Sequence, residues 1–442
     1  MLQTPINYNI VSQKIAESGL DDLGIASIRE IVRLVNNIEN ATGQKFVRME
    51  MGVPGLPAPD IGINAEIEAL KNGVASKYPM IEGVTELKKE TARFAKLFLD
   101  IDVNSDYCLP TVGAMQGAMA VFMVANRNDK LKEGTLFIDP GFPVQKAQCK
   151  VLGHDYYSFD VYDFRGDKLR DKLESYLKTG KISTILYSNP NNPSWVCLTE
   201  HELQIIGDLA NKYDTIVIED LAYFGMDFRK DISEPGVAPF QSTVAKYTQN
   251  YVLLISSSKA FSYAGQRIGM LIVSDFLFNR KYPDLRRYYG SDGFGYSLIY
   301  GALYALSAGV THSVQYGLAA LLKAVNDKKY NFVDAVQIYG QRAAVLKTIF
   351  TTHGFTIVYT KDEDMELADG FYFTIAYPGF SGGQLLKELL YFGISAISLK
   401  ITGSTHTEGL RACVSQIYPE NYPVLESRLA EFNKIYSSKK LN

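Results

Sequence analysis

Five short apolar runs recur between Thr135 and Ser274. They are TLFIDP from Thr135, KISTILYSNP from Lys181, TIVIEDLAY from Thr215, YVLLISSSK from Tyr251 and RIGMLIVS from Arg267. Amphipathic helical patterns fall among them, at Lys168–Lys178 and at Thr199–Asp214. The second helix opens with Thr199 and has Glu202 three residues on, the spacing of a capping box. Strands that read as near-continuous apolar runs are buried on both faces, and helical crossovers make neighbouring strands parallel. The expected fold is therefore α/β, a mostly parallel sheet covered by helices on both faces. Ligands in such sheets sit beyond the carboxyl ends of the strands.

The flanking segments read differently. The first fifty residues have helical character and lead into a Pro/Gly-rich loop, Met51–Gly62. A short helix at Asn64–Gly73, the loop Ser76–Val84, a strong helix at Thr85–Asp100 and a turn opening into a small-residue helix at Leu109–Asn126 follow. Past Tyr296 the pattern is helical to about Phe350. Strand-like FTIVYT, FYFTIAYP and RACVSQI then flank the helical GGQLLKELLYFG. The expected organisation is an N-terminal arm and part of a small domain (1–50), a large domain (51–310), and a linking helix with a smaller α+β domain (311–442).

The chain has 442 residues, long enough to bury a core without disulfides or structural metals. Its 45 basic and 48 acidic side chains leave a net charge of −3, without the basic excess of a nucleic-acid binder. Cys108, Cys149, Cys197 and Cys413 are scattered, and neither they nor the five histidines form a metal-binding motif. No basic-then-apolar leader opens the sequence, and the longest apolar stretch, Val112–Val124, is too short to cross a membrane. A cytoplasmic protein is the expectation.

The polar residues at the strand ends carry the chemistry. Asp139-Pro140-Gly141-Phe142 follows the first run, and Asn189-Pro190-Asn191-Asn192-Pro193 ends the second. Asp220 and Tyr223 end the third, and Ser256-Ser257-Ser258-Lys259 the fourth, with Arg267 eight residues later. Singly, each has an ordinary reading as a cap, a turn or a solvated charge. Jointly and in this order, N-P-x-N-P, D-x-A-Y and S-x-S-K with its following arginine, plus Arg411 near the C-terminus, resemble the class I/II aminotransferases. These are fold-type I enzymes that depend on pyridoxal 5′-phosphate (PLP). The resemblance extends from Gly52 to Arg411.

The resemblance implies a role for each residue. Lys259 would form a Schiff base with the cofactor aldehyde and, once released, move the proton at the substrate α-carbon. Asp220 would keep the pyridine nitrogen protonated, which makes the ring an electron sink. Asn192 and Tyr223 would hydrogen-bond the phenolic oxygen, and Phe142 would stack on the ring. The N–H groups of Gly113, Ala114 and Met115 at a helix start, with Ser256, Ser258 and Arg267, would hold the phosphate. Tyr78 matches a tyrosine that family members give to the neighbouring subunit's phosphate, so a homodimer with shared sites is implied. Arg411 would bind the substrate carboxylate through its fork, alongside Asn192 and the close-approaching backbone of Gly52. The activity implied is transfer of an amino group between an L-amino acid and a 2-oxo acid.

Two stretches depart from the family pattern. N-P-N-N-P continues with Ser194 and Trp195, the only tryptophan, where the family has threonine-glycine. Trp195 either narrows the substrate pocket or packs under the turn. Gly393–Ser398 lacks a proline usual before the carboxylate arginine. Arg286 and Arg287 are candidates for a side-chain carboxylate, which leaves dicarboxylate preference open. The same residue set serves PLP-dependent lyases and decarboxylases of this fold. A ligand-sensing domain of a transcription regulator is disfavoured, because the fold starts too near residue 1 for a DNA-binding module and the charge is balanced.

Overall fold

The computed structural model describes residues 4–437. Its centre is a seven-stranded sheet: β1 (Cys108–Thr111), β2 (Gly134–Asp139), β3 (Tyr156–Asp160), β4 (Ile182–Ser188), β5 (Ile216–Leu221), β6 (Tyr251–Ser256) and β7 (Gly269–Val273). The order across the sheet is β1-β7-β6-β5-β4-β2-β3. β7 runs antiparallel to both neighbours, and the other pairs are parallel. All five apolar runs are strands. The sequence did not signal β1 or β3, for a common reason. Both are edge strands: β1 is four residues long and contains Pro110, which an edge tolerates, and β3 is only partly buried over its first three residues.

Side chains of one strand alternate between two cores. Leu253 and Ile255 enter one, Val252 and Leu254 the other. The same alternation sends Glu219 and Asp220 to opposite faces. Glu219 is satisfied by the structure itself, accepting from Thr243 Oγ1 at 2.5 Å, Tyr187 Oη at 3.1 Å and the Val244 N–H at 3.2 Å, while burial raises its carboxyl to about 7. The helix Glu200–Tyr213 begins with the expected box, Thr199 and Glu202 each bonding the other's backbone, a device worth about 1 kcal/mol.

A third core joins the two ends of the chain. It takes Ile31, Val35 and Ile38 from the helix Ile28–Thr42, and Leu385, Leu386 and Leu389 from the helix Gly382–Tyr391. Beside it lies a second sheet of β8 (Thr356–Ile357), β9 (Tyr372–Ala376), β10 (Ile397–Ser398) and β11 (Leu410–Cys413), ordered β10-β11-β9-β8 and antiparallel. The chain passes between cores through two helices rather than one. His312–Asn326 packs on Asp60–Lys71 and Thr85–Leu99, and Ile338–Thr352 packs on the small sheet.

Buried carboxylates pin the lobes, Asp362 among them. Asp362, on a two-residue strand of the hairpin Lys361–Glu366, takes Arg165 Nη1 at 2.8 Å, Arg229 Nη2 at 2.9 Å and the Cys197 N–H at 3.0 Å. Cys197 lies on the same loop as Asn192, so the pin also fixes that loop.

Candidate active site

The strand ends of β4, β5 and β6 bring most of the expected residues into one cleft between the lobes. Asp220, near the end of β5, is buried and accepts from Gln145 Nε2 at 2.8 Å and from the Ala222 N–H at 3.1 Å. Burial pushes its carboxyl up to about 6, only partly opposed by those two donors. A carboxylate so placed gains from a cation brought against it. Gln145 was not foreseen; it sits on the helix Pro143–Leu152, which Phe142 caps, three residues past that ring.

Lys259 stands on the one-turn helix Ser257–Ala260 that follows β6. Burial lowers its amine from 10.5 to about 8; Cys413 opposes the shift, and Arg267 and Arg411 add to it. Its Nζ lies 6.0 Å from the centre of the Phe371 ring and forms no hydrogen bond or ion pair among the described residues. A lysine so shifted is neutral in a larger fraction near neutral pH than one in water.

At the other end lies an anion cradle. Gly113 opens the helix Gly113–Ala125 with φ of +67°, and Arg267 adopts a left-handed φ of +53°. A Cβ on Gly113 would stand 2.8 Å from Arg267 Nη2, so glycine lets the guanidinium reach the helix start, beside the N–H groups of Ala114 and Met115. Arg267 Nη1 is held by the Ala264 carbonyl at 3.0 Å. Ser256 Oγ accepts from the Ser258 N–H at 3.2 Å, which puts both serines on the turn before Lys259.

Across the cleft, Arg411 on β11 is 2 % exposed. Its Nη2 donates to the Glu50 carbonyl and its Nη1 to Asn192 Oδ1 at 3.4 Å, while Nε has no hydrogen-bond partner among the described residues. Glu50 is held in turn by Arg48 Nη2 at 2.6 Å and Ser395 Oγ at 2.5 Å. The departing stretch Gly393–Ser398 thus supports the carbonyl that orients Arg411. Gly52 is required by a close approach, since a methyl there would overlap the hydroxyl of Tyr372.

Tyr372 on β9 is the central residue the sequence did not reveal. Arg411 Cζ lies 4.5 Å over its ring, and Tyr223 Oη donates to its hydroxyl at 2.9 Å. The register pairs Tyr372 with Cys413, so Arg411 is its diagonal neighbour on the same face. Only strand pairing exposes that relation, although the alternating FYFTIA run is its trace. Trp195 is fully buried, its ring 5.3 Å from Tyr223 and its edge against the backbone of Gly370. Of its two readings, the structure gives packing behind the site.

Three residues lie apart. Tyr78 is 95 % exposed and has no hydrogen bond or ring contact among the described residues. Arg286 pairs with Asp292 at 2.7 Å on the surface, and Arg287 lies over Tyr288 on the same four-residue helix. Among the described residues, no group of three or more His, Cys, Asp or Glu side chains is placed to hold a metal ion, and no helix is long and apolar enough to cross a membrane.

A buried acid, an unpartnered lysine and an arginine beside a helix start stand past the strand ends of the large sheet, and the small sheet adds a second, buried arginine. The chain belongs to the aminotransferase class I and II family, whose profile matches residues 45–422. It is 24% identical to a probable aspartate aminotransferase of Methanocaldococcus jannaschii over 55% of this chain and 61% of that one. It is 29% identical to an LL-diaminopimelate aminotransferase of Halothermothrix orenii, over 52% of this chain and 57% of that one. With aromatic-amino-acid aminotransferase 2 of Thermococcus litoralis it shares 26% over 58% and 63%. These matches span less than two thirds of each relative. The fold is that of the aspartate aminotransferase of Thermotoga maritima (TM-score 0.75, 18% identity, 96% and 99% of the two chains) and of an aminotransferase from Mycobacterium tuberculosis (TM-score 0.73, 17% identity, 93% and 96%).

Proposed function

We propose that the chain is a PLP-dependent aminotransferase that moves an amino group between an L-amino acid and a 2-oxo acid. The observation that carries this is Lys259, a half-buried amine, unpartnered among the described residues, whose pKa is lowered to about 8, at the cleft that Asp220 and Arg411 also line. The residues suit the cofactor. The Gly113 helix start with Ser256, Ser258 and Arg267 would hold the phosphate, and Asp220 would pair with the ring nitrogen. Tyr223 and Asn192 would bond the phenolic oxygen, and Phe142 would cover the ring. When bound, PLP supplies a conjugated pyridinium that accepts the electron pair left at the α-carbon.

The protein does the rest. Arg411, with Asn192 and the backbone at Gly52, fixes the carboxylate and so decides which α-carbon bond faces the ring. Lys259 Nζ, neutral in a substantial fraction at pH 7.5, would take the α-proton and return it to the carbon on the far side of the amino nitrogen. Asp220, ionised above about pH 6, holds the proton on the ring nitrogen.

Further parts of this reading are proposals with their own support. A homodimer is supported by the belt of exposed apolar rings at Tyr78, Tyr296, Tyr300 and Tyr304, with Met80 69 % exposed among them. A cytoplasmic location is supported by four buried, unpaired cysteines. The proposed division into 1–50, 51–310 and 311–442 is supported by a core that takes residues from both ends of the chain and is separate from the two cores on the large sheet.

The deciding experiment is the half-reaction. An amino donor alone should convert bound PLP to the pyridoxamine form and release one equivalent of 2-oxo acid. Release of ammonia or carbon dioxide without that conversion would assign the protein to the lyases or decarboxylases instead.

A further inference from the structure

The hydroxyls of Tyr223 and Tyr372 form an isolated pair. Both residues are buried, and Tyr223 Oη donates to Tyr372 Oη at 2.9 Å. A phenol has one proton to give. A Tyr223 that gives it to Tyr372 cannot also donate to the phenolic oxygen of a ring in the cleft. Reversing the pair resolves the conflict. A small turn of the Tyr372 ring that opens its C–O···O angle lets Tyr372 donate to Tyr223, and Tyr223 donate forward.

The surroundings favour Tyr372 as the first donor of such a chain. Arg411, a permanent cation, lies 4.5 Å over its ring and draws electron density from it. No carboxylate contacts its hydroxyl. The groups that face it are Arg411 over the ring, Cys413 opposite it in the register, and Tyr223. Cys413 is a buried thiol whose pKa is raised by burial, so it remains neutral. Nothing on Tyr372's side competes for the proton it would give to Tyr223. A linear chain of donors strengthens each member, and a low dielectric enlarges the effect.

We propose that Tyr372 is a positioning residue that acts through Tyr223, donating to its hydroxyl so that Tyr223 donates more strongly to the cofactor's phenolic oxygen. The inference rests on the PLP reading above. It adds a residue of the small lobe, on a strand distant in sequence, to the control of cofactor ionisation. It also places the carboxylate arginine one contact from that control.

The test is a spectral pH titration of the PLP-loaded protein, with Tyr372→Phe, Tyr223→Phe and the double variant. Tyr372→Phe keeps the ring under Arg411 and the core packing intact. A weaker donor leaves the phenolic oxygen's negative charge less stabilised. The midpoint of the visible band should therefore rise, by about 0.5 pH units for Tyr372→Phe and by more for Tyr223→Phe. In the Tyr223→Phe background, Tyr372→Phe should shift nothing further. An unshifted midpoint in Tyr372→Phe, or shifts that simply add in the double variant, overturns the proposal while leaving the PLP reading intact. Failure of the unmodified protein to take up PLP with a visible band overturns that reading, and the proposal with it.

Discussion

Arg411 Nη1 reaches Asn192 Oδ1 across 3.4 Å, and the two residues come from different lobes. The bond is long, and a carboxylate entering the cleft displaces it at little cost. Arg411→Lys keeps the charge but loses the two-pronged grip and the flat contact with Tyr372. KM for both amino acid and oxo acid should rise by about 30- to 100-fold, the equivalent of ~2–3 kcal/mol. PLP affinity should change little. A loss of PLP affinity instead would show that Arg411 serves the cofactor.

Lys259 predicts a pH-dependent stability. Burial lowers its pKa from 10.5 to about 8. Between those values the unfolded chain binds the proton more strongly, so stability of the PLP-free protein rises with pH across that window. Below about pH 8 the cost of the buried charge is fully present. Lys259→Met should therefore stabilise the PLP-free protein at pH 7, by at most ~3 kcal/mol, and the gain should close as the pH approaches 10.5. Chemical denaturation at pH 7 and pH 10.5 measures it. The same variant should lose the visible band of bound PLP.

Asp220 has the opposite ionic character. Its folded pKa is raised from 3.8 to about 6, so the PLP-free protein loses stability as the pH rises through that window, and the full cost stands above pH 6. Asp220→Asn keeps an oxygen for Gln145 and removes the charge. At pH 7 it should stabilise the PLP-free protein, by at most ~3 kcal/mol, and weaken PLP binding about tenfold or more. Tighter PLP binding by the asparagine variant would contradict the pairing of Asp220 with the ring nitrogen.

Tyr78 predicts complementation between subunits. If its hydroxyl serves the partner's site, a mixed dimer of Tyr78→Phe and Lys259→Ala chains contains one site with both lesions and one with neither. Mixing the two variants under subunit exchange should raise activity to about a quarter of the unmodified level at equal proportions, since half the dimers are mixed and each has one intact site. Activity no higher than that of Tyr78→Phe diluted into an inert protein places Tyr78 outside the partner's site.

The sequence made the chemistry legible because that chemistry sits where strands end, and buried parallel strands announce themselves as apolar runs. Asp220, Lys259 and Asn192 were found by their distance from those runs. Tyr372, Gln145 and Glu50 were not, because each is defined by a neighbour far along the chain: Arg411 and Tyr223, Asp220, and Ser395. The edge strands β1 and β3 escaped because the first is four residues long with a proline inside it and the second is only partly buried. The two readings of Trp195 were equal in the sequence. Gly370 separates them, because its missing side chain is the space the indole fills.

That indole has a practical consequence. Trp195 is the only tryptophan in 442 residues, and its ring centre lies 5.3 Å from that of Tyr223. Emission excited at the long-wavelength edge, where the 29 tyrosines do not absorb, therefore originates beside the cleft. A conjugated ring entering there quenches it by energy transfer, so the unlabelled protein carries its own optical gauge of occupancy.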